Sequence, residues 1–230
     1  SAALGLITLP IVTWFFSTED IGRLTMLQVS ISFTLLLFTL GLDQAFVREY
    51  HEVGDKSPLL KATILPGFVV LVAVLILLFV LPWSVSLFLF GSDSEIMTIL
   101  FYASLLLVFI SRFLSLILRM EERGFAFSVS QVLPKLIFLI LIGLYILTSV
   151  NAVFENLLLA QVISYLSVFL ILLWNTSTQW IPALKATIDK SQLFKMIRFG
   201  FPLIGGGLAF WGLTAMDRFF LRSLSSFSEL

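Results

Sequence analysis

Long apolar runs, rather than amphipathic stripes, organise this chain. Seven of them stand out, at 1–16, 24–47, 62–90, 96–118, 132–150, 155–175 and 199–221. A helix needs about 20 residues to cross about 30 Å of hydrocarbon, and most of these runs are of that length. The pattern predicts an all-α fold, a polytopic transmembrane helix bundle. The short alternating segments of a membrane β-barrel are not visible. The first run is short. The third, 62–90, is longer than a span requires, so Pro66 and Pro82 are expected to bend it or to mark its ends.

Composition sharpens this picture. Hydrophobic residues make up 59% of the 230 positions and charged residues 12%, with a mean hydropathy of +1.07. A soluble chain has about 45–50% apolar and about 25% charged residues. The formal net charge is zero, so nothing draws the chain to nucleic acid. There is no cysteine and one histidine, His51, which removes disulfides and thiolate ligands and nearly excludes histidine metal sites. No phosphate-binding loop, dinucleotide loop or Ser–His–acid set is present. No catalytic residue, metal ligand or cofactor is therefore assigned. No cleavable signal pattern is visible, and both ends read as cut, so the chain is expected to be a fragment.

Lysine and arginine give an orientation. The connectors 48–61, 119–135 and 176–198 carry ten of them, from Arg48 to Arg198. The opposite connectors and the end of the last run carry Arg23 and Arg222. The basic side is expected to face the cytoplasm, with the N-terminus on that side. The outer connectors are short and acidic. The largest inner connector, 176–198, reads either as an amphipathic surface helix leading into the seventh span or as a charged linker.

A few polar residues interrupt the spans. Thr25, Gln28, Ser32, Thr39 and Asp43 share one helical face, and lipid offers Gln28 and Asp43 no partner, so this face should meet protein or water. Arg112 lies about 10 Å deeper than Arg119 along the fourth span. A cation at the centre of a bilayer costs roughly 2.5–3.5 kcal/mol on insertion scales. Arg112 therefore either lines an aqueous cavity or pairs with an acid such as Asp43. Ser128, Gln131 and Lys135 repeat the spacing at the start of the fifth span, where Lys135 reads as an interface anchor or a weaker ligand candidate. In the seventh span Gly207, Trp211, Thr214 and Arg218 share a face. Trp211 suits a sugar ring or plain packing. Asp217 and Arg218 suit an interface pair or a cavity. Pro202 and Gly205 to Gly207 are expected to permit a kink or close packing.

Four stretches resemble a known family. "LITLPIVTWFFSTEDIGRLTMLQ", "GLDQAFVREYHE", "LRMEERGFAFSVSQVL" and "FGFPLIGGGLAFWGLTAMDRFFL" are similar, in order and across the chain, to the polysaccharide and O-antigen flippases of the Wzx type. The resemblance implies membership of the superfamily that also holds MATE exporters and lipid II flippases. That fold has about twelve helices in two six-helix lobes around a cavity open to one side at a time. This chain would then supply a MATE-like N-terminal six-helix lobe at 1–175, an inter-lobe linker at 176–198 and the first helix of a second lobe at 199–230. "FSTED" at 16–20 and "SFSEL" at 226–230 form a short echo between the lobes.

The implied role is alternating-access movement of a polyprenyl-diphosphate-linked oligosaccharide across the bacterial inner membrane, by a monomer and with no covalent chemistry. The expected partners are that lipid-linked oligosaccharide and membrane lipid, with H+ or Na+ as a candidate coupling ion. Arg112, Arg218, Trp211, Arg48 and Lys135 become the substrate-binding candidates, because arginine suits phosphate. Asp43 and Asp217 become candidates for charge balance or coupling. The alternatives are a lipid II flippase, a MATE-like exporter, a membrane polysaccharide polymerase or ligase, and a structural scaffold. An enzyme would be expected to need a larger outer loop, and a scaffold would seal Arg112 in packing.

Overall fold

The computed structural model describes residues 10–148 and 151–224, with side chains through Ala215 in the last helix. The echo segment 226–230 lies outside the described residues, as do the side chains of Asp217, Arg218 and Arg222. Among the described residues the ordered elements are helices, without strands. After a helical stretch at 10–15 come α1 (Thr18–Phe38), α2 (Leu42–Glu49), α3 (Lys56–Val80), α4 (Val85–Phe90), α5 (Glu95–Met120), α6 (Gly124–Leu147), α7 (Phe154–Asn175), α8 (Ser177–Lys185) and α9 (Lys190–Leu224). Six of these are long and apolar enough to cross a membrane. The chain is a multi-pass, all-helical membrane protein.

Helix boundaries differ from the apolar runs in ways that chemistry explains. The run 24–47 is two helices, because Leu40 and Gly41 adopt left-handed φ values of 54° and 67° and stop α1. The run 62–90 also divides. Pro66 is absorbed inside α3, whereas Pro82 falls in the break before α4, whose N-cap Ser84 accepts from the Leu87 amide. The fifth span begins at Gly124 rather than near 132. The connector 176–198 forms α8, and its last nine residues belong to α9. Asp189 caps α9, taking the Ser191 amide on its side chain at 2.8 Å and the Leu193 amide on its carbonyl at 2.9 Å.

The bundle packs around fully buried Leu27, Leu71, Phe109 and Ile142, each 0% exposed. On the tightly packed α5 and α7, Ser104 and Ser164 are buried, and each returns its hydroxyl to the carbonyl four residues back. Small residues let helices approach where lipid supplies no hydrophobic drive. In contrast the part of α3 after Thr63 is apolar all round and exposes Val69, Val70, Ile76, Leu77 and Phe79, which is the surface a lipid-facing helix presents.

Polar side chains fasten the two ends of the bundle. At the acidic end Arg23 pairs with Glu19 at 2.8 Å and Asp20 at 3.1 Å, donates to the Phe90 carbonyl at 2.9 Å and lies over the Phe154 ring. At the basic end Lys61 donates to the carbonyls of Leu184 and Ala186, both at 2.8 Å. Arg123 donates to the Asn175 carbonyl at 2.9 Å, and Gln179 to Glu121 at 2.7 Å. Cations at helix C-termini satisfy carbonyls that the helix itself leaves open. Lys61, one of the basic residues counted for orientation, thus also holds α8 against α3.

Candidate functional site

The break between α1 and α2 creates the site. Leu40 holds a left-handed conformation that costs a non-glycine residue about 1–2 kcal/mol. The helix α9 crosses against this break. A Cβ on Gly41 would lie 2.3 Å from the Gly200 carbonyl oxygen, and one on Gly200 would lie 2.6 Å from the Leu40 carbonyl oxygen. Two backbones touch here, with no room for a side chain on either. Of the glycines expected to pack, Gly207 lies against Leu36, while Gly205 and Gly206 face open space.

Irregular backbone within a membrane bundle is tolerated where it is covered by protein or lines water. Here it lines a cavity of about 390 Å³, walled by Ser32, Thr39, Asp43 and Gln44 on one side, Arg112 opposite, and Leu203 and Ile204 of α9. Asp43 sits in the first turn of α2, where the helix dipole favours a carboxylate, and its Oδ1 accepts from the Gln44 amide at 3.0 Å. Its Oδ2 accepts from Arg112 Nη2, also at 3.0 Å. The Asp43 side chain is 11% exposed and that of Arg112 46%. Arg112 is thus paired with Asp43 and keeps part of its side chain open to the cavity.

The polar stripe of the second run divides between two cavities. Ser32, Thr39 and Asp43 belong to the one just described. Thr25 and Gln28 line a second, of about 440 Å³, with Gln131, Lys135, Gln161 and Tyr165. A smaller cavity of about 200 Å³ lies between them. It shares Arg112 with the first and Gln131 and Tyr165 with the second, and it adds Ser111 and Ser115. Because α6 starts at Gly124, Lys135 stands at the middle of a 24-residue helix rather than at its mouth. Its side chain lines the second cavity.

The other candidates stand apart. Arg48 lies at the basic end, its guanidinium 4.8 Å from the Phe199 ring and 3.8 Å from Glu49. Trp211 packs α9 onto α1: its indole donates to Ser32 at 3.1 Å and its ring lies 4.7 Å from Phe33. Neither lines the Arg112 cavity. Asp217 and Arg218 lie outside the described side chains. Sequence reasoning missed Gln161 and Tyr165. A lone glutamine in the apolar run 155–175 was the available signal, of the same kind that marked Gln28. It also missed Gly200, which nothing in a single sequence distinguishes from its glycine neighbours.

Two comparisons, with curated proteins and with solved structures, give no match. A third gives a match over residues 1–230, to the family described as "Polysaccharide biosynthesis protein". With its apolar spans and its polar cavities inside the bundle, the chain belongs to the polysaccharide biosynthesis protein family.

Proposed function

We propose that the chain forms part of a flippase that moves a polyprenyl-diphosphate-linked oligosaccharide across the bacterial inner membrane by alternating access. The observation that carries this reading is Arg112: a cation deep in an apolar bundle, about half exposed to a cavity that also receives a broken helix. Packing alone has no use for that exposure. A polar head group crossing the bilayer needs it, because a path lined by fixed charges and hydroxyls replaces the water the head group gives up.

Roles follow from geometry. Arg112 is held by Asp43 through one donor, and its remaining donors can meet phosphate oxygens. Asp43 orients the guanidinium and limits its net charge, so that an anion binds and then leaves. An incoming cation or proton would compete with Arg112 for the Asp43 carboxylate, which gives the pair a place in coupling. Arg218 and Asp217 would act from the same helix as Leu203 and Ile204. Residues 1–175 would form one lobe, 176–198 the linker and 199–230 the start of a second lobe. The basic end would face the cytoplasm.

The test uses the protein expressed from its complete gene, with cysteine placed at 112 and, as a buried control, at 109, where Phe109 is 0% exposed. A membrane-impermeant thiol reagent should label position 112 and leave 109 unlabelled. Arg112→Ala should insert normally and lose transport. An unlabelled position 112, or full transport by Arg112→Ala, overturns the reading.

A further inference from the structure

Resting on the flippase reading, we infer that the cavity around Lys135 is a separate saccharide subsite that takes the carboxylate-bearing sugar of an acidic repeat unit. Its position is the first reason. Lys135 lies roughly 16 Å along α6 from Gly124, near the middle of that helix and facing a cavity inside the bundle. Among the described residues no acid pairs with it, whereas Arg112 next door is paired with Asp43. The uncompensated positive charge of this region therefore sits at Lys135.

The lining is the second reason. Gln28, Gln131 and Gln161 reach the cavity from α1, α6 and α7. Each carboxamide is both donor and acceptor, as a ring of hydroxyls requires. Tyr165 adds a hydroxyl and an aromatic face, and Phe138 a second apolar wall. A diphosphate would not need three amides and two rings, and a hydrophobic cargo would not need the amides or the ammonium. A hexuronate uses all of them: carboxylate to Lys135, hydroxyls to the amides, ring face to Tyr165. A volume of about 440 Å³ is within the range of small-molecule sites.

Connection to the first cavity is the third reason. Gln131 and Tyr165 also line the smaller cavity that reaches Arg112. There the Ser111 hydroxyl oxygen is buried without a partner among the described residues, and a buried hydroxyl calls for water or a ligand hydroxyl. A head group with its diphosphate at Arg112 would place a sugar towards Lys135.

The experiment measures the thermal stability of the purified complete protein in titrations with D-glucuronate, D-glucose and pyrophosphate. Glucuronate should raise the melting temperature, with a midpoint at least tenfold below that for glucose. Lys135→Gln should abolish that preference and Lys135→Arg should keep it. As a readout independent of any variant, modification of Lys135 in the wild-type protein by a small amine reagent, read by mass spectrometry, should slow at least threefold in glucuronate and not in glucose. Equal responses to glucuronate and glucose, or a preference that survives in Lys135→Gln, overturn the inference. Protection of Lys135 by pyrophosphate as strong as by glucuronate also overturns it, assigning the cavity to the linker instead. Transport by Arg112→Ala tests the flippase reading separately, since these binding readouts involve no translocation.

Discussion

Arg112 and Asp43 meet at 3.0 Å across the break between two helices, although 69 residues separate them in the chain. The pair joins α5 to the first turn of α2 and leaves about half of the guanidinium side chain open to a cavity. Its contribution to stability is expected to be modest, because a cation this exposed is well screened. In a double-mutant cycle with Asp43→Asn and Arg112→Gln, the coupling energy from melting curves should be about 1 kcal/mol or less. The same variants should lower transport at least tenfold. Coupling of several kcal/mol together with intact transport would make the pair purely structural.

Glycine at 41 and 200 is a requirement of contact. Gly200→Ala places a methyl group 2.6 Å from the Leu40 carbonyl oxygen, and Gly41→Ala adds a left-handed φ of 67° to a clash at 2.3 Å. Each should destabilise the fold by about 2 kcal/mol or more, seen as a lower melting temperature in detergent. Gly205→Ala and Gly206→Ala, which meet open space, should be neutral or slightly stabilising.

Lys61 ties the last turn of α8 to α3 through two carbonyls. Lys61→Met keeps the apolar stem and removes the donors. Limited proteolysis should then cut faster within 186–189, the segment between α8 and α9, while the melting temperature of the bundle changes little. An unchanged cutting rate would show that packing of Trp180 and Ala183 holds α8 without the lysine.

Asp189 supplies an acid-sensitive end to α9. Hydrogen bonds from Ser191 hold its carboxyl below the ordinary carboxylate range. A depressed folded pKa gives stability that is present above the unfolded value, near 3.8, and is lost as pH falls through the lower folded value. Amide exchange at Ser191 and Gln192, corrected for the intrinsic pH dependence, should therefore stay slow at neutral pH and rise in strong acid. In Asp189→Asn the cap cannot titrate, so that rise should disappear.

The apolar runs alone determined that this is a bundle of membrane-spanning helices, because about 20 apolar residues in a row have few other uses in a folded chain. They also marked Gln28, Asp43 and Arg112 as exceptional, since each is a polar group that lipid cannot satisfy. Helix periodicity placed Thr25, Gln28, Ser32, Thr39 and Asp43 on one stripe; the structure sets the last three on one cavity and the first two on another.

What the sequence left open was decided by contacts between distant segments. Whether Arg112 is paired or exposed depends on where α2 lies, and that depends on a break at Leu40 and Gly41 which a hydropathy profile passes over. At that break Gly200, far along the chain, lets the backbone of α9 come into contact. The place of Lys135 at the middle of a helix turned on a start at Gly124, inside a connector whose polar residues hid its first two turns. Local pattern reports the cost of leaving a group in lipid. Only the tertiary arrangement decides which group, or which cavity, meets that cost.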